Sequence, residues 1–401
     1  MEHEAAVLRI ARQDLARGQA ERAREQYEQI LQADPRNPEA LVGLTYVALA
    51  TGAAEEARSL AEQAVKAQPD YLEAQILKVV AGEALGELDE AVAQMTLLAK
   101  THPDSCLAAY HAGRLLAAAG KGAEALPSLR RAVDLADQVG RRCDILNLMG
   151  YVLQDLDQLG DAIRAHRRAV EIFPSSCKGY EGLADACARG GDVDAALAVL
   201  DEALAKVAEG DHPALWQKQA ELLAAKGELP AAVASAERAC ERLPDGAQGW
   251  LNLASLRLLA GDTTGAERAA KRASELDPTA WQPHFQRGMI CDAAAQGNQA
   301  EVAYRKAADL APDRWEPTNN LGLVMLAHGS PADVFEAEQL FRRATELAGP
   351  TEVQPRFNRA RALARLQQHA ECRQVCDELL AGDLPDELRQ RVQALVGELS
   401  K

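Results

Sequence analysis

Apolar residues in this chain recur at two spacings, every three or four residues within a segment and every thirty-four between segments. Between Pro38 and Tyr71, the residues Leu41, Leu44, Val47, Ala48 and Thr51 share one face at helical spacing, and Gly52 ends the run. Such an end calls for a left-handed residue, which glycine adopts without a Cβ clash. Glu55 and Glu56 then open a second helix, where carboxylates suit the positive end of the dipole. Ala57, Leu60, Ala61 and Ala64 form its inner stripe, and Pro69 breaks it just before the next segment. The predicted element is a pair of antiparallel helices joined by a tight turn.

The pair is repeated. Alanine stands at Ala23, Ala57, Ala91 and Ala125, glycine at Gly18, Gly52, Gly86 and Gly120, and proline at Pro35, Pro69 and Pro103. After a shift of a few residues the beat resumes at Ala162, Ala196, Ala232, Ala266 and Ala300, with Pro244, Pro278 and Pro312. Two helices joined by a short turn come closest beside that turn, so a larger side chain there would push them apart. Pro38, Pro213, Pro283, Pro317 and Pro355 fall at helix starts, where a missing N–H costs least. A two-helix unit cannot bury its apolar faces alone, so a fixed period of this length predicts an all-α stack.

The pattern resembles the tetratricopeptide repeat, on the strength of Tyr180-Glu-Gly-Leu183-Ala184, Trp250-Leu-Asn-Leu253-Ala254, Leu146-Asn-Leu-Met149-Gly150-Tyr-Val-Leu153 and Asn319-Asn320-Leu321-Gly322. Eleven units are expected, beginning near residues 4, 38, 72, 106, 143, 177, 213, 247, 281, 315 and 353. They form one tandem array over residues 1–383, and residues 384–401 read as a capping helix with Leu388, Val392, Leu395 and Leu399 on one face. The resemblance implies a right-handed α-solenoid superhelix whose first helices line a concave trough that holds peptide or protein partners. The departures are Asp137 in place of a proline with three extra residues after it, two extra residues before Pro213, a longer turn at Gly329–Asp333, and Cys372 at the small-residue position. All are read as loop adjustments, because the apolar pattern resumes in register.

Charge narrows the partners. The 401 residues carry a net charge of −16, whereas a nucleic-acid binder needs a basic stripe to displace counterions. Met1-Glu2-His3-Glu4 leads straight into the first repeat without a signal-like segment, and no apolar run reaches membrane-spanning length. Eight dispersed cysteines fit packed thiols in a cytoplasmic protein. Cys106, Cys143 and Cys177 each begin a unit, but successive units stand about 10 Å apart, too far for a disulfide.

Catalytic chemistry is not expected, since no phosphate-cradling loop, zinc-protease histidine pair or nucleophile elbow occurs. No cofactor is expected either. His369, Cys372 and Cys376 share a helix face at ligand spacing, but the two cysteines sit where Ala23 and Tyr27 pack in the first repeat, so no metal site is expected.

Binding residues are sought on the trough. Its sixth position reads Arg9, Gly43, Leu77, His111, Leu148, Gly182, Lys218, Asn252, Gln286, Asn320 and Asn358, ending in four consecutive carboxamides. A carboxamide both donates and accepts, and so pairs with a peptide backbone of any sequence. The run resembles the asparagine ladder in the repeat arm of O-GlcNAc transferases, which implies a grip on extended chains at Asn252, Gln286, Asn320 and Asn358. Towards the other end Leu8, Val42, Tyr46, Ile76, Leu77, Val80, Tyr110 and Tyr151 fall at inward positions, which suit an amphipathic partner helix or burial within the stack. Tyr46, Tyr110 and Tyr151 are taken as candidate contacts. The lysine–asparagine set by which related modules clamp chaperone carboxylates is missing. The expected function is a non-catalytic scaffold or adaptor. The alternatives are a structural subunit of a larger, self-associating assembly and a regulatory arm of a separately encoded enzyme.

Overall fold

The computed structural model describes residues 2–399, with side chains from residue 5 onward. Among the described residues there are twenty-three α-helices, a single 3-10 turn and no strand. The chain divides into two units, Met1–Ala208 and Glu209–Lys401. Each is an α-solenoid of stacked helix pairs. The sequence reading has one array here, with the two extra residues before Pro213 as a loop adjustment. The division falls at that insertion, where a 3-10 turn over Glu209–Asp211 leads into the helix His212–Lys226. The other two insertions lengthen helices. Residues after Asp137 extend the first helix of the fifth repeat to Val139–Asp155, and Ser330 caps a second helix drawn out to Pro331–Ala348.

Within each unit, most successive first helices touch one another, as Pro38–Ala50 touches Leu72–Ala84 and Ala247–Leu259 touches Gln282–Ala293, though His212–Lys226 with Ala247–Leu259 and Gln282–Ala293 with Trp315–His328 stand further apart. Successive second helices do not pack to that extent. A stack whose first helices stand closer together than its second helices curves with the first helices inside. The first helices therefore line the inner face.

The turn inside each pair is set by one left-handed residue. It is glycine at Gly18, Gly52, Gly86, Gly120, Gly191, Gly227, Gly261 and Gly329, but Asp157, Ala295 and Gln367 take the same conformation at φ 57°, 57° and 60°. A residue with a Cβ costs about 1–2 kcal/mol there. Polar side chains begin several helices, with Asn37, Ser105, Asp192 and Asp262 accepting from backbone N–H groups at 2.8–3.1 Å. Arginines close the other ends. Arg131, Arg189 and Arg365 donate to the carbonyls of Ala99, Gln154 and Leu326, each near the end of an earlier helix.

Packing follows a size rule. The small residue beside the turn, from Ala23 to Ala337 and including Cys372, is buried in all eleven repeats. Four residues later, five second helices present Tyr27, Leu129, His166, Tyr304 or Phe341, each of which meets a glycine on a first helix, and the other six carry Ala61, Met95, Leu200, Ala236, Ala270 and Cys376. Leu129 lies over Gly113, Tyr304 over Gly288 and Phe341 over Gly322 within one repeat, while Tyr27 meets Gly43 of the next. His166 lies between Gly150 and Gly182, where an added Cβ would sit 2.3 Å from the imidazole on either side. Interiors packed to this density cannot absorb such an atom without backbone shifts. At the end of the chain, Leu388 and Val392 of the helix Asp386–Glu398 are buried in one cluster with Cys376 and Leu379.

His166 is wholly buried, and its hydrogen bonds fix one tautomer. The Gln154 Nε2 donates to its Nε2 at 3.1 Å, so the Nδ1–H donates to the Asn147 Oδ1 at 3.2 Å. A second proton on Nε2 would face the Gln154 amide, with no acceptor. Burial pushes the pKa down to about 4.

Three outcomes follow from this packing. Ala295→Gly, which relieves a left-handed alanine, should raise stability by about 1 kcal/mol in urea unfolding. Gly182→Ala should lower it by about 1–3 kcal/mol. The unfolded chain binds a proton at His166 near pH 6.5 and the folded chain only near 4. The contribution of His166 is therefore fully present above pH 6.5 and is lost as pH falls towards 4, by about 2 kcal/mol between pH 7 and pH 5. Urea midpoints at the two pH values should show a fall in stability that His166→Leu reduces by about that amount.

Candidate functional site

The sixth position of a first helix lies over the large residue of the preceding second helix. Gly43 meets the Tyr27 ring and Gly182 meets His166. Side chains at this position therefore enter the crevice between successive repeats. Depth in that crevice decides which of them can reach a partner.

The four carboxamides divide accordingly. Asn358 is fully buried and donates to the Asn319 Oδ1 at 2.9 Å, so it offers nothing to a partner. Gln286 is buried too, donating to the Leu251 carbonyl at 3.1 Å and accepting from the Ser255 hydroxyl at 2.5 Å. Asn320 is half-buried and accepts from the Asn319 Nδ2 at 3.3 Å. Asn252 is half-buried, accepts from the Gln248 Nε2 at 2.8 Å, and lines an open cavity. The expected four-rung ladder is thus corrected. Asn358 and Gln286 bridge repeats internally, and Asn252 borders a cavity.

That cavity, of about 270 Å³, lies between the first helices His212–Lys226 and Ala247–Leu259. Its floor is Ala236, the residue that stands where other repeats carry Tyr27, His166, Tyr304 or Phe341. Ala220 and the buried Gly249 form the walls, so neither side grows to fill the gap. The two first helices also pack less closely than the next pair along the stack. Gln217, Asn252, Ser255 and Glu221 supply polar groups around the apolar floor. A cavity of roughly 150 Å³ already admits benzene. A space of this size and lining can take an aromatic or large aliphatic side chain, with two carboxamides beside the entering backbone. The sequence reading included Asn252 but not the cavity, whose signal is the coincidence of three small residues, Ala220, Ala236 and Gly249, at facing positions.

The tyrosines of the other unit are differently engaged. The Tyr46 hydroxyl donates to Glu73 at 2.8 Å, and burial followed by the nearby Glu73 carboxylate pushes its pKa up. Glu73 also accepts from Tyr71, whose pKa is pushed up to about 12 by burial and the same carboxylate. Tyr110 is half-buried with its ring edge-on to His111, and burial and then Arg114 push that imidazole down to about 4. Tyr151 is 39% exposed and contacts His166 edge-on. Leu8, Val42, Ile76 and Leu77 are buried by their neighbours, so the apolar wall expected there is mostly core. Of the three candidate tyrosines, Tyr151 is the most available.

Cys372 and Cys376 are fully buried, with the Cys372 thiol donating to the Ala360 carbonyl at 3.2 Å, while His369 is exposed. Burial pushes the Cys376 thiol up to about 12, away from the thiolate that a metal would need. Among the described residues no three such side chains are grouped to hold a metal ion. No described helix is long and apolar enough to cross a membrane.

Sequence models of the tetratricopeptide repeat match residues 14–79 and residues 83–139, 147–211 and 218–280. No curated protein matches the sequence. Several solved structures are similar to this chain in part. Yeast Tom70 is 13% identical, with 100% of this chain and 96% of that chain covered at a TM-score of 0.49. The thermophilic tetratricopeptide-repeat protein TTC0263 of Thermus thermophilus is 24% identical over 46% of this chain and 98% of that chain, at a TM-score of 0.42. The Cut9–Hcn1 hetero-tetramer of the APC/C is 13% identical over 98% of this chain and 89% of that chain, at a TM-score of 0.43. Matched by repeat models over more than half of its length, the chain belongs to the tetratricopeptide-repeat family.

Proposed function

We propose that this protein is a non-catalytic scaffold that holds a protein or peptide partner on the face lined by its first helices, anchored at the cavity beside Asn252. The observation that carries this reading is the gap over Ala236, where the same fold elsewhere buries its own ring. A partner's aromatic or large aliphatic side chain replaces the missing one. Asn252 and Gln217 then pair with the partner's backbone, whose amides point both ways. Asn320 and the exposed edge of Tyr151 are further contacts on the inner faces of their own units. The family supports the class of function, and the packed thiols Cys143, Cys187, Cys240, Cys291, Cys372 and Cys376 suit a cytoplasmic setting.

Burying one such side chain is worth about 1.5–3 kcal/mol, or roughly 10- to 100-fold in affinity. Peptides selected against the full chain from a displayed random library should carry an aromatic or large aliphatic residue in common. Ala236→Phe, which fills the gap as Phe341 does, should weaken them about 10- to 100-fold without lowering the melting temperature. Unchanged affinity in Ala236→Phe would remove the cavity from the binding site.

A further inference from the structure

Several of the chain's cations pair with its own carboxylates. Arg24 meets Glu56 at 2.6 Å, Arg58 meets Glu87 at 2.7 Å, Arg114 meets Glu83 at 2.5 Å, and Arg305 meets both Glu301 and Glu336 at about 3 Å. With 60 acidic residues against 44 Lys and Arg, cations gathered without a carboxylate among them stand out. One group of them converges. The groove between the helices Gln282–Ala293 and Gly297–Leu310 encloses a space of about 550 Å³ lined by His284, Arg287 and Lys306. No carboxylate lines it, and the remaining polar lining is the carboxamides of Asn298 and Gln299.

Arg287 is the telling member. Its Nε is buried without a hydrogen-bond partner, a loss that a protein normally avoids. His284 responds to the same surroundings, since burial and then the charges of Arg287 and Lys306 hold its pKa below the ordinary value. At neutral pH the groove therefore presents two fixed positive charges, a neutral imidazole and two carboxamides. Val302, 71% exposed, stands among them as an apolar contact.

We propose that this groove is a second binding site, which takes the phosphate of a phosphoserine or phosphothreonine on a partner peptide. The charge match selects the ligand. A phosphomonoester carries nearly two negative charges at pH 7 and three acceptor oxygens, enough to neutralise Arg287 and Lys306 together. The planar guanidinium would present its terminal N–H groups to two phosphate oxygens. A single carboxylate would leave one cation unpaired. The site is distinct from the cavity at Ala236, and neither proposal depends on the other.

The test is fluorescence anisotropy of a labelled peptide, Gly-Ala-phosphoserine-Ala-Leu, titrated with the full chain. The unphosphorylated and glutamate-substituted peptides run in parallel. Saturable binding is expected for the phosphopeptide alone, weakening as salt is raised. Arg287→Gln and Lys306→Gln should each reduce affinity about tenfold, as expected for loss of one charge-assisted contact. Lys271→Gln removes the same charge elsewhere and should change nothing, as should Ala236→Phe. Equal binding of the glutamate or unphosphorylated peptide would overturn the proposal. So would indifference to both substitutions in variants whose melting temperature is unchanged, or no saturable binding at all.

Discussion

The close approach of the two helices in every repeat is the constraint on which this structure rests. It is set by one buried small residue beside the turn, from Ala23 in the first repeat to Cys372 in the last. With the helices held that near, the side chain four residues further on has nowhere to go but into a first helix. A ring at that point then requires glycine opposite, as at Gly43, Gly150, Gly182, Gly288 and Gly322. Where the ring is replaced by Ala236 and the wall remains small, space is left over. Core packing and candidate function are thus two outcomes of one size rule.

The same rule explains which parts of the molecule can be read from the sequence. Helix pairs, their turns and the buried alanines are visible because each repeats at a fixed period. Even the irregular turns obey it, since Asp157, Ala295 and Gln367 take the left-handed conformation of the glycines they replace. Insertions are less legible. Residues after Asp137 and around Ser330 went into longer helices, because apolar register continues equally well through a loop or an added turn of helix. The two residues before Pro213 looked the same in sequence, yet the chain divides there.

The binding face was legible only in direction. Periodicity places Asn252, Gln286, Asn320 and Asn358 on one side of their helices, but it carries no measure of depth. Depth depends on what the preceding repeat presents. Asn358 has Asn319 within reach and is drawn into the stack, and Gln286 is drawn towards Ser255. Asn252 faces Ala236 and is left at an opening. A reading that compares facing positions in successive repeats, rather than one position along the chain, finds this difference from residue sizes alone. The cationic groove escapes periodic analysis altogether, because His284, Arg287 and Lys306 converge only once.

The central claim is that the sizes of the residues facing one another across successive repeats decide which crevices are filled and which are open to a partner. Crystals of the protein soaked in p-cresol test it most directly. The account predicts a ring seated over Ala236 between Gln217 and Asn252, and none in the crevices that hold His166, Tyr304 and Phe341. Density for the ring at those filled crevices, or an empty cleft over Ala236 at saturating p-cresol, would contradict it.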